Sequence, residues 1–335
     1  MVNWKRGLVI GKFYPPHRGH KLLIDTARAG VAALTVLVCD KPGQQPPASL
    51  RAIWLREIHP DVTVIVIPDI GQDDDSQVWA TYTIQILGYA PDVVFTSEDY
   101  GYAYARFMGC QHVQLDRARR MVPCSGTQVR ADPLSWWDFL EPCVRAYYAR
   151  RVCIVGAESS GTTTMAQALA AHYQTTWVAE YGREYSIKKM QTGQEQWESA
   201  EFVHIATEQS RREDWAARTA NRLLICDTDA FATSIWHQRY LGRREATVEA
   251  IAAPRQYALY LLTDVDIPFV QDGFRDGEHI RHWMHAIFLA ELQAQAKPFA
   301  LLSGSHPARL RKAISLIDPL IQGLGVNVTL SGGSA

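Results

Sequence analysis

The chain has 335 residues, with 34 Lys plus Arg against 35 Asp plus Glu and a formal net charge of −1. Domains usually hold about 100–200 residues, so two are expected, and the even charge balance excludes a broad basic field for gripping nucleic acid. A hydrophobic share of 47% with 21% charged residues excludes disorder over most of the length.

In chain order, short apolar runs at 7–10, 34–38, 62–67 and 92–95 read as buried strands, and 18–29, 49–58 and 76–87 read as the helices between them. Alternation at this spacing predicts a parallel sheet covered by helices on both faces. Between these elements, 40–48 is rich in Pro, Gly and Gln and reads as a surface loop. The run Asp73, Asp74, Asp75 is read as a solvated loop feeding a helix N-terminus, where carboxylates suit the dipole, with a metal patch as the alternative.

The pattern restarts at 152–155 and continues with strand-like runs at 177–179, 222–226, 257–262 and 299–302. Helices are expected at 163–172, 194–217, 277–294 and 307–321. The sequence therefore predicts an α/β protein with two doubly wound parallel-sheet domains, residues 1–149 and 150–330. Residues 136–149 carry the connection, and 331–335 form a frayed tail. The six cysteines form no CxxC pair and sit in apolar runs, which predicts reduced, packed thiols. No apolar run approaches the ~18–20 residues of a membrane span, and no signal-peptide pattern opens the chain. A cytoplasmic protein with no membrane partner is expected.

The string GLVIGKFYPPHRGH at 7–20 carries the first candidate site. A strand ends at Gly11, two prolines turn the chain, and His17 and His20 open a helix. The N–H groups and dipole of a helix start favour phosphate. Residues three apart on a helix share a face, so His17 and His20 are placed to donate to one polyphosphate. Gly19 leaves room for a nucleotide against the backbone. A second string, SGTQVR at 125–130, offers Ser125 as a helix cap, the amides of Gly126 and Thr127 for phosphate, and Arg130 for a leaving pyrophosphate. Together the two strings resemble the GxFxPxHxGH and S-[ST]-x-x-R motifs of the HxGH nucleotidyltransferases. The resemblance implies an HxGH, Rossmann-like domain that moves a nucleotidyl group from ATP and releases pyrophosphate. Lys12, His17, His20 and Arg130 would be catalytic, Gly11, Phe13, Gly19, Ser125, Gly126 and Thr127 would bind ATP, and Mg²⁺ would bridge the triphosphate.

The second domain opens with VCIVGAESSGTTTM at 152–165, a strand, a Gly-x-x-x-x-Gly turn and a helix, which is a P-loop arrangement. Gly156, Glu158, Ser159, Ser160, Gly161, Thr162, Thr163 and Thr164 form the candidate phosphate site, with Thr163 at the Mg²⁺-ligating position. The lysine expected after Gly161 is absent, and Thr162 stands there. In LLICDTD at 223–229 an apolar strand leads to Asp227, the form of a Walker B carboxylate. The Gly- and Arg-rich string QDGFRDGEHIR at 271–281 reads as a lid, with Arg275 and Arg281 as partial substitutes for the missing lysine.

These strings, with EYGRE at 180–184, FTSEDYG at 95–101 and VCDKPGQ at 38–44, resemble the NadR-type nicotinamide-mononucleotide adenylyltransferase/ribosylnicotinamide kinase family over nearly the whole chain. The resemblance implies NAD salvage. The second domain would phosphorylate nicotinamide riboside with ATP, and the first would join the resulting nicotinamide mononucleotide to AMP, giving NAD. It implies Asp227 as a Mg²⁺ ligand or catalytic carboxylate and Glu180 as the rival base. Arg183 is a substrate contact, Asp229 a substrate contact or a helix cap, and Trp79 a nicotinamide-stacking ring or a core aromatic. The alternative reading is an adenylyltransferase whose P-loop domain, impaired at Thr162, only senses nucleotide. Two further rivals are a different acceptor for the first domain and a DNA-binding regulator. Some family members begin with a helix-turn-helix domain, for which a first strand near residue 7 leaves no room. Homo-oligomer assembly is left open.

Overall fold

The computed structural model describes residues 4–72, 74–194, 196–269 and 278–322, which form two compact units, 4–144 and 145–322. In the first unit the elements run β1 (Trp4–Gly11), α1 (Arg18–Gly30), β2 (Val31–Asp40), α2 (Ala48–Ile58), β3 (Thr63–Pro68), α3 (Ser76–Leu87), β4 (Val93–Thr96), α4 (Gly101–Met108), β5 (Gln111–Gln114) and α5 (Gly126–Ala131). Helix α6 (Pro142–Tyr148) spans the division between the units.

All pairings are parallel, in the order β3-β2-β1-β4-β5. Such a sheet is buried on both faces, so its strands need apolar residues at successive positions. Leu8, Val9 and Ile10 are all buried. Val9 packs with Leu23, Ile24 and Ala27 of α1 and Ala52 and Leu55 of α2. Leu8 and Ile10 pack on the opposite face with Ala80 of α3 and Tyr104, Ala105 and Met108 of α4. The strand order reverses between β1 and β4, and a doubly wound sheet opens a crevice at the carboxyl ends of such a pair.

The second unit runs β6 (Arg150–Gly156), α7 (Thr162–His172), β7 (Trp177–Val178), α8 (Tyr181–Gln191), α9 (Ser199–Ala216), β8 (Leu223–Asp227), α10 (Ala230–Leu241), α11 (Ala246–Ala252), β9 (Leu259–Thr263), α12 (Arg281–Ala294), β10 (Phe299–Leu302) and α13 (His306–Ile321). Its parallel sheet has the order β10-β9-β6-β8-β7, with the switch at β6. Val152 and Ile154 pack with α7 and α13 through Met165, Leu169, Ala313 and Ile317.

The expected α/β class with two parallel sheets is present. Helices α4, α8, α10 and α11 lie outside the predicted set. Helix α10 buries Ala230 to Ile235 and His237, so it lacks the polar stripe that marks an amphipathic helix. Helix α8 fails in the opposite sense, being polar on most sides with Lys189 as its buried residue. The expected 194–217 helix starts at Ser199, where Glu198 and Glu201 form a reciprocal cap. The expected 277–294 helix starts at Arg281 after a short 3₁₀ turn, Glu278–Ile280. The carboxylate of Asp75 accepts from the N–H groups of Gln77 and Val78 and caps α3, the solvated-loop reading of the acidic run; Asp73 lies outside the described residues. All six cysteines are free.

Candidate active sites

A cavity of about 600 Å³ opens at the carboxyl ends of β1 and β4. Gly11, Lys12, Phe13, His17, Gly19, His20, Trp79, Ser125, Gly126, Thr127 and Arg130 all line it, so tertiary structure gathers both sequence strings and Trp79 into one space. The start of α1 is tightly specified. The N–H of Gly19 donates to His17 Nδ1 at 3.1 Å, and the N–H of His17 donates to His20 Nδ1 at 3.3 Å. The rings lie 3.8 Å apart. A backbone N–H can only donate, so both Nδ1 atoms accept and each ring carries its proton on Nε2. Burial, assisted by the charge of Arg119, lowers His17 to about 4. Burial, His17 and Arg119 hold His20 well below the ordinary histidine value. The two rings therefore act as neutral N–H donors.

Helix α5 holds the loop after β1 through Arg130 and Gly126. Arg130, on α5, donates to the Tyr14 carbonyl at 2.5 Å and to Thr127 Oγ1 at 3.0 Å, with its guanidinium 4.7 Å from the Tyr14 ring centre. Ser125 caps α5 by accepting from the Gln128 N–H. Gly126 is required by contact, because a Cβ there would stand 2.7 Å from the Tyr14 carbonyl oxygen. On the other side, fully buried Arg51 of α2 donates to the Lys12 carbonyl and to Gln44 Oε1. Lys12 Nζ lies 3.5 Å from nearly buried Asp69. Trp79 lines the cavity and also packs against the core face of α3 and α4, its expected place as a core aromatic. The sequence reading missed Arg51, Asp69 and Arg119. Each is a single residue outside any motif, brought in by the sheet.

A second cavity, of about 680 Å³, opens at the ends of β6, β7 and β8. Gly156, Glu158, Ser159, Gly161, Thr162, Thr163, Thr164, Glu180, Arg183 and Asp227 line it. A Cβ at Gly156 would meet Thr263 Oγ1 at 2.2 Å and Ser160 Oγ at 2.5 Å, so the strand reaches the loop only with glycine there. Thr163 Oγ1 donates to Asp227 Oδ2 at 2.5 Å, and buried Asp227 Oδ1 has no hydrogen-bond partner among the described residues. Burial pushes the Asp227 carboxyl up to about 6, against the pull of the Thr163 and Thr162 hydroxyls and of Arg183. A buried carboxylate oxygen without a donor, beside a threonine hydroxyl, fits a hard cation. The described residues hold no cluster of three or more His, Cys, Asp or Glu suited to a metal. Mg²⁺ needs none when phosphates and water fill its remaining positions.

Two predicted positions in this unit, Ser160 and Arg281, differ from expectation, and Asp229 takes one of its two expected roles. Asp229 caps α10, with Oδ1 accepting from the Ala232 N–H at 2.9 Å and Oδ2 from the Tyr260 hydroxyl at 2.7 Å. Both oxygens are used beneath the cavity, which favours the cap over the substrate contact. Ser160 turns away from the cavity, with Oγ donating to the Ala157 carbonyl at 2.6 Å. Arg281 sits behind the P-loop and does not line the cavity, a correction to its expected place in a lid over phosphate. Arg275 lies outside the described residues.

The sequence reading also missed an aromatic wall. Trp197, Phe202, Trp236 and Tyr240 line the far side of the cavity. Ring centres lie 5.0 Å apart for Trp197–Phe202, 5.1 Å for Trp197–Tyr240 and 6.5 Å for stacked Trp236–Tyr240. Trp236 and Tyr240 stand four apart on α10, a spacing that signals a shared face only once the helix is recognised. Lys189, buried beside this wall, donates to Glu201 Oε1 at 2.6 Å.

Comparison with known proteins places this architecture among relatives. Residues 151–309 match the AAA domain family. The chain is 28% identical over 291 residues to the trifunctional NAD biosynthesis/regulator protein NadR of Escherichia coli (strain K12), covering 80% of this chain and 71% of that protein. The NadR of Salmonella typhimurium (strain LT2) is equally similar over the same shares. Two crystal structures share the fold over 95% of this chain and 96% of theirs, at 20% identity. They are a NadR protein in complex with NR, with a TM-score of 0.78, and a NadR protein in complex with NAD and AMP-PNP, with a TM-score of 0.73. No helix among the described residues is long and apolar enough to cross a membrane.

Proposed function

We propose, from its resemblance to NadR across both units, that this chain is a bifunctional enzyme of NAD salvage. The first unit, an HxGH-type nucleotidyltransferase, joins nicotinamide mononucleotide to the AMP of ATP. The second phosphorylates nicotinamide riboside. The observation that carries the first activity is the pair of neutral, back-bonded histidines at a helix start, facing one cavity with Arg130. A phosphate oxygen of the mononucleotide attacks the α-phosphorus of ATP, the bond to the β-phosphate oxygen breaks, and pyrophosphate leaves. The Nε2–H groups of His17 and His20 and the guanidinium of Arg130 donate to the oxygens that gain charge. Their fixed backbone contacts mean that little reorganisation is needed at the moment of reaction. The carboxylate at Asp69 keeps the Lys12 ammonium at the cavity edge.

In the second unit the 5′-hydroxyl of the riboside attacks the γ-phosphorus and ADP leaves. Glu180 takes the hydroxyl proton, because Asp227 is assigned with Thr163 to hold the cation. Asp227 and Thr163 are the residues that would hold Mg²⁺, which when bound offsets charge on the triphosphate. The nicotinamide ring of a riboside is a cation. The faces of Trp197, Trp236 and Tyr240 suit it electrostatically as well as by area.

Purified chain supplied with ATP, Mg²⁺ and nicotinamide riboside is expected to form the mononucleotide and then NAD with pyrophosphate. NAD formed from added mononucleotide but none from the riboside would favour the alternative that Thr162 has reduced the second unit to a nucleotide-binding module. Failure with both substrates would overturn the reading.

A further inference from the structure

The P-loop lacks its lysine, yet two other cations hold its backbone. Arg281, at the start of α12, donates from Nε to the Glu158 carbonyl at 3.1 Å. Its Nη2 donates to the carbonyls of Ser159 at 3.3 Å and Ile267 at 3.1 Å. Arg309, in the first turn of α13, donates from Nη1 to the Ser160 carbonyl at 2.8 Å, from Nε to the Gly304 carbonyl at 2.9 Å and from Nη2 to the Asp264 carbonyl at 3.1 Å. Both arginines are buried, at 7% and 3% exposure. A guanidinium is costly to bury unless its donors are used, and here they collect three consecutive loop carbonyls.

The consequence follows from peptide geometry. A trans peptide sets its C=O and the next N–H on opposite sides. Turning the carbonyls of Glu158 and Ser160 toward the arginines sends the N–H groups of Ser159 and Gly161 the other way. The same two residues take left-handed backbone, with φ of 59° at Ser159 and 90° at Gly161, the alternation that curls successive amides into an anion-binding nest. Both line the cavity, and neither arginine does. Asp266 pairs with Arg309 and offsets part of its charge, so loop geometry is the pair's main contribution.

We propose that Arg281 and Arg309 are positioning residues that clamp the P-loop from behind, fixing its amides as a nest able to hold a triphosphate without the P-loop lysine. The proposal rests on the reading that this cavity takes ATP. It is tested by peptide-resolved hydrogen–deuterium exchange of residues 157–165 across an ATP titration, using the full chain and its Arg281→Gln and Arg309→Gln variants. Resolution by peptide keeps ATP bound to the first unit from confusing the result. In the unsubstituted chain, ATP is expected to protect the segment. Each variant is expected to need about tenfold more ATP for half-protection, equivalent to about 1.4 kcal/mol, with exchange at residues 223–227 unchanged. Adding Thr162→Lys to either variant is expected to recover most of the affinity, because a lysine there contacts phosphate directly and would not repair mere loss of packing. If a Gln variant also loses protection at 223–227, Arg281→Lys and Arg309→Lys, which keep a cation but lose the fork, are measured with the same expected shift. Half-protection at the unsubstituted chain's ATP concentration in folded variants overturns the clamp. So does a shift that Thr162→Lys fails to repair. No ATP protection in the unsubstituted chain overturns the ATP-site reading and the proposal with it.

Discussion

His17 and Asp227 show how burial tunes single groups in opposite directions. The His17 imidazole, lowered to about 4 by burial and by Arg119, stays neutral where a free histidine would protonate. Its native value lies below its unfolded value of 6.5. Its contribution to stability is therefore complete above about pH 6.5 and is lost as pH falls toward 4, on the order of 3 kcal/mol at most. His17→Asn keeps an acceptor at the helix cap, so the variant's melting temperature should fall less than that of the unsubstituted chain between pH 6.5 and 4. The same neutrality predicts that these histidines impose no fall in NAD synthesis between pH 8 and pH 6, read from initial rates. Asp227 runs the other way. Its carboxyl is raised by burial from 3.8 to about 6, so its favourable contribution is complete below about 3.8 and disappears as pH rises through 6. Asp227→Asn should raise thermal stability without ligand at pH 8, by about 2–3 kcal/mol, and lose the gain at pH 4. Riboside phosphorylation should vanish in the same variant, a trade of function against stability.

Elements act here through contacts that only glycine permits. Helix α5 reaches the loop after β1 because Gly126 leaves the Tyr14 carbonyl room, and that approach carries Arg130 to the cavity. Gly126→Ala should force the two apart, costing about 1–3 kcal/mol of stability measured by denaturant unfolding. NAD synthesis should fall with it, and phosphorylation of the riboside should be retained. The sequence announced α5 through its Ser125 cap and α1 through its histidine string. It did not announce α8 or α10, because polar-all-round and buried-all-round helices both lack the stripe on which recognition depends. The aromatic wall went unseen for the same reason, since Trp236 and Tyr240 become one surface only when α10 is a helix.

At the scale of the molecule, each unit holds its own sheet, switch point and cavity. The two proposed chemistries, on separate scaffolds, should be separable by single substitutions. Glu180→Gln is expected to slow riboside phosphorylation by about 10²–10⁴-fold, the usual worth of a general base, and to leave NAD synthesis from added mononucleotide unchanged. His20→Ala should do the reverse. Both are checked in the full chain with one assay for mononucleotide formation and one for pyrophosphate release.

By itself the sequence determined the class of fold, the strand ends that face each cavity and the identity of the strings that line them. Those features are local: apolar runs for doubly covered strands, glycine where backbones meet, capping residues where helices begin. Tertiary structure alone decided which side each charged group faces. Asp229 was drawn beneath the cavity by Tyr260 and a helix cap, and Arg281 was drawn behind the P-loop by three carbonyls. Arg51 and Asp69 were brought to a loop distant in sequence. A buried charge goes where its hydrogen bonds are satisfied, and those partners come from strands and loops that sequence spacing cannot bring together.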